Sequence, residues 1–437
     1  MQLIHQARLT LIAFFSYMVM SGLLTQAGVI LNAVADQLQL APAVAVSIFS
    51  WLTGGVLIGT CVSMYLYTRF SIKSLLVLTY SLLLVLLCML SVFKPQHYAS
   101  VALIFMVLGV ACGCGLSGGA VIISKIYQAQ RRASAFIATD CAFSAAGYLF
   151  PTLAGWLLAQ QYPWQYSYLA VGIVGLFIIG LVVCGDSPQA HQVKASTAPD
   201  KSADTEEPYS AWQEFRSLLS VRVLCMATAV CLYLVAQTSF LTWAPSYLTS
   251  AFALPSDQAG QVVGNYWGAS IFGLLLSVVL VNIVPTRLLL LSASVIAIGL
   301  TTAMVVSDSP DTFVSLGFAF GFLTTCIYKV AISLGTQQVP NAPPMLVTLM
   351  LFSGSVGSTL APAVSGVVVS LSHEQGALWL SVCCYLLMAL LFVVTLVSEK
   401  RAQSSSSKLL QQTSGGAVSI CLPIRAIKQR CPEREHR

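Results

Sequence analysis

The sequence predicts an all-α integral membrane protein, and its composition, its hydropathy and an internal repeat support that fold class. Of the 437 residues, 57% are hydrophobic and only 8% are charged, whereas a typical soluble domain carries roughly 25% charged residues. Windows of about 20 mainly apolar residues, the length that crosses a bilayer, recur along the whole chain. We therefore expect the lipid bilayer to surround most of this protein.

Twelve such windows are predicted as transmembrane helices, in two groups of six. The first window has no small-residue cleavage site, so we interpret it as a retained helix and not as a removed signal peptide. The predicted spans are 9–31, 44–67, 74–93, 98–127, 134–159 and 163–184, followed by 221–248, 258–281, 285–307, 312–335, 343–371 and 376–397.

A polar segment separates the two groups. The stretch "GDSPQAHQVKASTAPDKSADTEEPYS" begins at residue 185 and has the composition of a poorly ordered linker. The last residues of the chain contain no apolar run long enough to cross a bilayer. The predicted domains are an N-terminal six-helix bundle at 1–184, a cytoplasmic linker at 185–218, a C-terminal six-helix bundle at 219–398 and a disordered cytoplasmic tail at 399–437.

The two groups of six contain similar motifs. "LGVACG" at 108–113 recurs as "LGFAFG" at 316–321, and "FSAAGYLFPTLAG" at 143–155 recurs as "FSGSVGSTLAPAVSG" at 352–366. Because six spans separate the copies, the repeat keeps its direction, and an axis along the membrane normal should relate the two bundles. The alternative is chance, since small residues are common wherever membrane helices pack closely.

The distribution of Lys and Arg predicts the orientation, because these residues stay in cytoplasmic loops. With the N-terminus inside, the cytoplasmic loops hold ten of them and the opposite loops hold Lys94 alone. Both termini are therefore predicted to be cytoplasmic. This asymmetry and a basic tail account for the net charge of +6, so we expect no nucleic-acid partner.

Enzymatic, metal and nucleotide chemistry is not expected. Most of the 13 cysteines lie in apolar spans, and the chain has no C-x-x-C pair. The Gly-rich run 109–120 lacks the Lys-Ser/Thr ending of a phosphate-binding loop. The spans contain no His cluster, paired carboxylates or activated Ser or Cys. We expect no cofactor and no metal, and without a nucleotide site any transport would have to be powered by an ion or solute gradient.

Several motifs resemble a known family. Twelve spans in a six-plus-six repeat, with inside termini and a long central loop, resemble the major facilitator superfamily of secondary transporters. The stretches "TDCAFSAAGYLFP", "SLGTQQVP" and "APSYL" are similar to its TsgA-type branch, near the fucose-permease group. This resemblance implies the major facilitator fold, alternating access and a bacterial inner membrane location. The fucose-permease group carries acidic residues in its first and fourth spans, where this chain has none.

Two formal charges lie well inside predicted spans, Asp140 in the fifth and Lys329 in the tenth. Inserting a charged side chain near mid-membrane costs roughly 2.5–3.5 kcal/mol on insertion scales. Charged residues within membrane spans therefore usually indicate a functional site. Each charged residue lies about six residues, or roughly 9 Å, from the cytoplasmic end of its predicted span. In the fold that this chain resembles, the fifth and tenth spans approach each other on the cytoplasmic side when that side is closed. We therefore hypothesise that Asp140 and Lys329 pair across the bundles in the outward-facing state, as a gate or ion-coupling site that protonation of Asp140 would weaken.

A structural role for both charges is the alternative. Asp140 would then be satisfied by hydroxyl and backbone groups of its own bundle, and Lys329 would extend to the cytoplasmic interface.

Uncharged polar and aromatic residues are the candidate substrate-binding groups. Aromatic faces and amides suit a sugar or another neutral polar solute. Interfacial anchoring or packing is the alternative for any one of them. The candidates lie on spans that face the cavity in the resembling fold, and they are Tyr17, Gln26, Asn32, Gln237, Trp243, Asn265 and Tyr328.

The sequence therefore predicts a monomeric secondary active transporter of a small-molecule substrate, with protons as the candidate coupling ion and a sugar-like solute as the favoured class. Two alternatives stay open. One is an exporter of drugs or toxic compounds, and the other is a membrane solute sensor that does not transport.

Overall fold

A computed structural model describes residues 2–127, 129–184, 220–338 and 344–415, and every regular element in those ranges is an α-helix. We number these helices in chain order. They are α1 (Gln2–Thr25), α2 (Ala27–Leu38), α3 (Pro42–Ala45), α4 (Ser47–Arg69), α5 (Ile72–Phe93), α6 (Tyr98–Ile126), α7 (Ala129–Ala159), α8 (Gln165–Val183), α9 (Val221–Phe252), α10 (Ser256–Ile283), α11 (Thr286–Val306), α12 (Pro310–Thr324), α13 (Cys326–Thr336), α14 (Pro344–Leu371) and α15 (Glu374–Gly415).

Twelve helical segments of the described residues are long and apolar enough to cross a membrane, which confirms the predicted fold class. Spans 1–6 are formed by α1, by α3 with α4, and by α5, α6, α7 and α8. Spans 7–12 are formed by α9, α10, α11, α12 with α13, α14 and α15. We call residues up to 184 the N-terminal half and residues from 220 the C-terminal half. The bundle end that carries the N-terminus is called the N-terminal face.

Glycines at repeated positions hold helices close together in each half. A Cβ added at Gly113 of α6 would overlap the carbonyl oxygen of Val56 on α4. A Cβ added at Gly321 of α12 would likewise overlap the carbonyl oxygen of Tyr266 on α10. Gly113 and Gly321 are the last residues of the two related motifs found in the sequence. The repeat therefore marks the same helix contact, spans 2 and 4 in one half and spans 8 and 10 in the other.

The first span is interrupted at Gln26, between α1 and α2. The side-chain amide of Gln26 donates a hydrogen bond to the Gly22 carbonyl at 2.7 Å. The Tyr168 hydroxyl donates to the next carbonyl, that of Leu23, at 3.0 Å. Backbone groups in a bilayer need an internal partner, so these two side chains stabilise the interruption. The predicted span 9–31 crosses this point.

The tenth span is interrupted at Thr325, between α12 and α13. The Thr325 hydroxyl donates to the Gly321 carbonyl at 2.5 Å and shares a second hydrogen bond with the Ser270 hydroxyl at 2.8 Å. The Tyr233 hydroxyl donates to the Thr324 carbonyl at 3.4 Å. As in the first span, side-chain donors compensate for the lost helical bonds, and here all of them are hydroxyl groups.

The last helix continues beyond its membrane span. The apolar segment of α15 ends at Ser398, but the helix extends to Gly415, where the sequence predicts a disordered tail. Residues 399–414 include many good helix formers and no Pro or Gly, which explains the extension. Residues Met1–Thr395 form one compact unit, and a second unit starts at Leu396. The predicted linker 185–218 and residues 416–437 lie outside the described residues.

Candidate functional site

A cavity of about 410 Å³ lies between the two halves. Its described lining comes from spans 1, 2, 4 and 5 of the N-terminal half and from spans 7, 8, 10 and 11 of the C-terminal half. Of the nine predicted site residues, the five that line it are Tyr17, Asp140, Gln237, Tyr328 and Lys329. Helices of both halves therefore build one concave site around the two charges.

The two intramembrane charges form an ion pair that crosses the cavity. The Nζ atom of Lys329 lies 2.9 Å from Oδ2 of Asp140, and the side chains are 52% and 23% exposed, respectively. Asp140 lies near the start of the apolar segment Ala138–Ala159, and Lys329 lies near the end of Pro310–Gly335. Both charges are thus nearer the N-terminal face, and each is neutralised by the other. Their role as a gate or coupling site stays a prediction.

Two phenols stand beside this ion pair. Tyr17 of α1 and Tyr328 of α13 both lie close enough to Asp140 to interact with its charge. The ring of Tyr328 stacks on that of Tyr233, with centroids 6.2 Å apart and an interplanar angle of 18°. The Nζ atom of Lys329 is 5.7 Å from the centroid of the Tyr328 ring. The Tyr328 ring is therefore fixed against both the ammonium group and the wall of the cavity.

Gln237 and Trp267 line the cavity from the C-terminal half. The amide of Gln237 donates a hydrogen bond to the hydroxyl of Tyr266, which fixes the orientation of the amide. The Trp267 ring packs against Phe143 of the other half, with centroids 5.2 Å apart. Trp267 was not selected from the sequence as a site residue, although it lies two residues after the candidate Asn265.

Hydroxyl side chains make up most of the polar lining, and sequence reasoning missed them. Six of them donate to carbonyls of their own helices, Thr25, Thr53, Thr60, Thr325, Ser355 and Ser358. Their lone pairs can still accept hydrogen bonds. The other three lining hydroxyl residues are Ser144, Thr238 and Thr242. A single sequence contains no signal for these residues, because Ser and Thr bond to helix carbonyls throughout the spans.

Four predicted binding residues are absent from the described lining of this cavity. Gln26 is fully buried and stabilises the interruption of span 1. Trp243 is also fully buried, and its indole N–H donates to the Ser365 hydroxyl at 2.9 Å. The Asn265 amide donates to the Val314 carbonyl at 3.2 Å. Each of these three has a hydrogen bond that links or stabilises helices.

The fourth, Asn32, joins the halves at the face opposite the N-terminus. Its Oδ1 atom accepts a hydrogen bond from the Ser246 hydroxyl at 3.2 Å. Nearby, a Cβ added at Gly28 would overlap backbone atoms of Leu241 and Thr242. The halves therefore pack tightly at this face in the same structure that contains the Asp140–Lys329 ion pair, so pairing does not require this face to be open.

Comparison with known proteins gives a family match over most of the chain. A sequence model of the Major Facilitator Superfamily matches residues 9–291 and 244–430. The Protein TsgA homolog of Yersinia enterocolitica is 28% identical over 374 residues, which are 86% of this chain and 91% of the relative. The homolog of Serratia proteamaculans is 26% identical over 374 residues, with the same coverage.

Solved structures show the same fold at low identity. The nucleoside transporter NupG superposes with a TM-score of 0.69 at 12% identity, over 90% of this chain and 98% of that one. A D-xylose-proton symporter superposes with a TM-score of 0.68 at 14% identity, over 88% of this chain and 96% of that one. At this identity the likeness demonstrates a common architecture.

Proposed function

This chain belongs to the Major Facilitator Superfamily of secondary active transporters. We propose that it is a TsgA-type member and that it moves a small, neutral, hydroxyl-bearing solute such as a sugar. Alternating access would occur by rocking of the two halves about the cavity between them. The family is one of transporters and not of enzymes. The predicted segment 185–218 would serve as the connection between the halves.

The composition of the cavity lining carries this proposal. Its described charged residues are Asp140 and Lys329, which neutralise each other at 2.9 Å. A site with no net charge does not favour an ion over a neutral solute. Nine Ser and Thr side chains with free lone pairs, together with aromatic rings, suit a solute that donates hydrogen bonds and has an apolar ring face.

Proton coupling would use Asp140, the carboxylate of the described lining. Protonation would remove its charge and weaken its attraction to Lys329. The pair joins the two halves on the N-terminal side of the cavity. A weaker attraction would therefore favour separation of the halves on that side. A change of about 1 kcal/mol in this attraction shifts a two-state equilibrium about fivefold. The D-xylose-proton symporter of the same fold is consistent with this proposal.

Efflux of an amphipathic compound is the second candidate. Met20, Leu24, Leu52, Leu234 and Leu274 form part of the lining, and an apolar wall tolerates many ligands. A sensor that binds without transport would use the same cavity. For all three, we propose the inner membrane of a bacterium, with both termini in the cytoplasm.

Transport by the purified protein in liposomes tests the function. Vesicles with an inward proton gradient receive labelled sugars, organic acids, amines or toxic cations in parallel. We expect one hydroxylated solute to accumulate and a protonophore to abolish its accumulation. Accumulation of amphipathic cations alone would support the exporter. Thermal stabilisation by a solute that never crosses the membrane would support the sensor, since a ligand at 100 times its Kd stabilises by about 2.7 kcal/mol.

A variant distinguishes coupling from binding. Asp140→Asn keeps the size and polarity of the side chain but cannot accept a proton. We expect it to retain exchange of labelled for unlabelled solute and to lose accumulation driven by the proton gradient. Gradient-driven accumulation at the wild-type rate in this variant would contradict coupling through Asp140.

A further inference from the structure

Gln237 presents one end of its side-chain amide to the solute cavity. The residue lies on α9 among the lining residues and is 7% exposed. Its amide nitrogen donates to the hydroxyl of Tyr266, a fully buried residue of α10. The Oε1 atom of the same amide is not buried, and no described residue donates a hydrogen bond to it. The carbonyl oxygen is therefore the end of the amide that a solute can reach.

Close packing between spans 8 and 10 holds Tyr266 in place. A Cβ added at Gly321 of α12 would overlap the backbone carbonyl of Tyr266. The Tyr266 ring packs on the Phe320 ring, with centroids 5.1 Å apart and an interplanar angle of 50°. A side chain in such a close-packed interior has little freedom to change its rotamer. The Tyr266 hydroxyl is therefore a fixed partner for the amide of Gln237.

The hydroxyl groups around Tyr266 determine the direction of this hydrogen bond. Three of them interact with the Tyr266 hydroxyl, and they belong to Tyr233, Thr324 and Thr325. Each of the three donates its own proton to a backbone carbonyl, so their oxygens are available as acceptors for the Tyr266 proton. The lone pairs of Tyr266 then remain for the N–H group of Gln237. If the amide turned over, its N–H group would lose this acceptor, and its oxygen would meet a hydroxyl whose proton already has a partner.

We propose that Tyr266 is a positioning residue for solute recognition, because it holds the Gln237 oxygen toward the cavity, where this oxygen selects a solute hydroxyl group that donates a hydrogen bond. The inference rests on the proposed function of the cavity and narrows the solute class to compounds with a donor at this point. A site that hydrogen-bonds a hydroxyl group rejects an analogue without it, because the polar group of the site is left unpaired. Without the Tyr266 hydroxyl, the amide could present either end, and this selection would weaken.

Replacement of single solute hydroxyl groups by fluorine tests this selection, since a C–F group has a similar size but no proton to donate. The probes are D-glucose, D-xylose and uridine, each compared with its monofluorinated analogues. Dissociation constants are measured on the full-length protein in detergent. For a probe that binds, we expect fluorination at one position to weaken binding to the wild type by about tenfold, because it leaves the Gln237 oxygen unpaired. In Tyr266→Phe this difference should fall to about twofold.

Tyr385 provides the matched control for the loss of a buried hydroxyl. Its ring packs on the Phe320 ring of the same aromatic cluster, with centroids 6.1 Å apart. Its buried hydroxyl has no hydrogen-bond partner in the part of the chain that the structure describes, so Tyr385→Phe should keep the wild-type difference. Gln237→Met, which replaces the amide with an apolar side chain of similar length, should lose the difference. Tyr266→Phe in that background should have no further effect on it.

Several results would overturn the proposal. A difference of wild-type size in Tyr266→Phe or in Gln237→Met would show that the amide does not make the selection. An equal reduction in Tyr385→Phe would show a general response to the loss of a hydroxyl from the cluster. Equal binding of a probe and all its fluorinated analogues by the wild type would exclude selection of a donor but leave the proposed function intact. Absence of binding by every probe to every variant would overturn the proposed function as well.

Discussion

Lys329 and Asp140 lie in opposite halves of the protein, and their charged atoms are 2.9 Å apart across the cavity. Neither is fully buried, since Lys329 is 52% exposed and Asp140 is 23% exposed. Water therefore reaches the pair and reduces its net stabilisation below that of a buried ion pair. A contact of moderate strength between two moving halves can form and break during transport.

A double-mutant cycle on this pair gives the first prediction. Asp140→Asn and Lys329→Met should each lower the initial rate of transport, because each leaves the other charge without its partner. The double variant should lose less than the sum, with a coupling of about 0.5–1 kcal/mol. The measurements are initial rates of solute exchange, which need no proton gradient, and thermal unfolding for the four proteins. Strictly additive losses would show that the two residues act independently.

The pairing of Asp140 with Lys329 could be predicted in part from the sequence, because the depth of a residue in the membrane follows from the number of residues between it and the end of its span. Two charges at a similar distance from the same membrane face, on spans that approach each other in the resembling fold, have few other partners. The number and order of the spans were equally predictable from apolar length. The repeat motifs end at Gly113 and Gly321, so they also predicted that these two glycines occupy related positions.

The direction in which a side chain points was less predictable. Gln26 was expected to face the solute, but the helix is interrupted there and the amide donates to the Gly22 carbonyl instead. Trp243 has a residue type that suits binding, yet it lies fully buried against Ser365. Both outcomes depend on helix interruptions and rotation, which arise from packing between spans and not from local hydropathy.

Closure of the face opposite the N-terminus gives the second prediction. Gly28 approaches the backbone of Leu241 and Thr242 so closely that a side chain there would clash. Gly28→Val should therefore oppose closure and favour the state that is open at this face. The measurement is the rate at which a maleimide labels Ser246→Cys in detergent, corrected for labelling of the native cysteines. We expect labelling to be several-fold faster in the Gly28→Val background.

A glycine with free space around it provides the control for this prediction. Gly299 also lies in a span, but an added Cβ would meet no atom within 4 Å. Gly299→Val should leave the labelling rate of Ser246→Cys unchanged. Unchanged labelling in the Gly28→Val background would mean that the close approach does not limit the opening of this face.

The third prediction concerns Trp243 and Ser365, which link spans 7 and 11. Their 2.9 Å hydrogen bond joins two fully buried side chains. Trp243→Phe should lower the free energy of unfolding by about 0.5–2 kcal/mol without changing the solute affinity. Ser365→Ala in the Trp243→Phe background should cost little more. Weaker solute binding at unchanged thermal stability would instead identify Trp243 as a binding residue.

The fourth prediction distinguishes the role of the Tyr328 ring from the role of its hydroxyl group. Its ring stacks on Tyr233 at 6.2 Å and lies 5.7 Å from the Lys329 ammonium group, and Tyr328→Phe preserves both contacts. If the hydroxyl binds the solute, this variant should show a weaker solute affinity, by about 0.5–1.5 kcal/mol for one neutral hydrogen bond, at unchanged thermal stability. Tyr328→Leu removes the ring as well and should lower both. Wild-type affinity in Tyr328→Phe, with a loss only in Tyr328→Leu, would restrict Tyr328 to packing and to contact with Lys329.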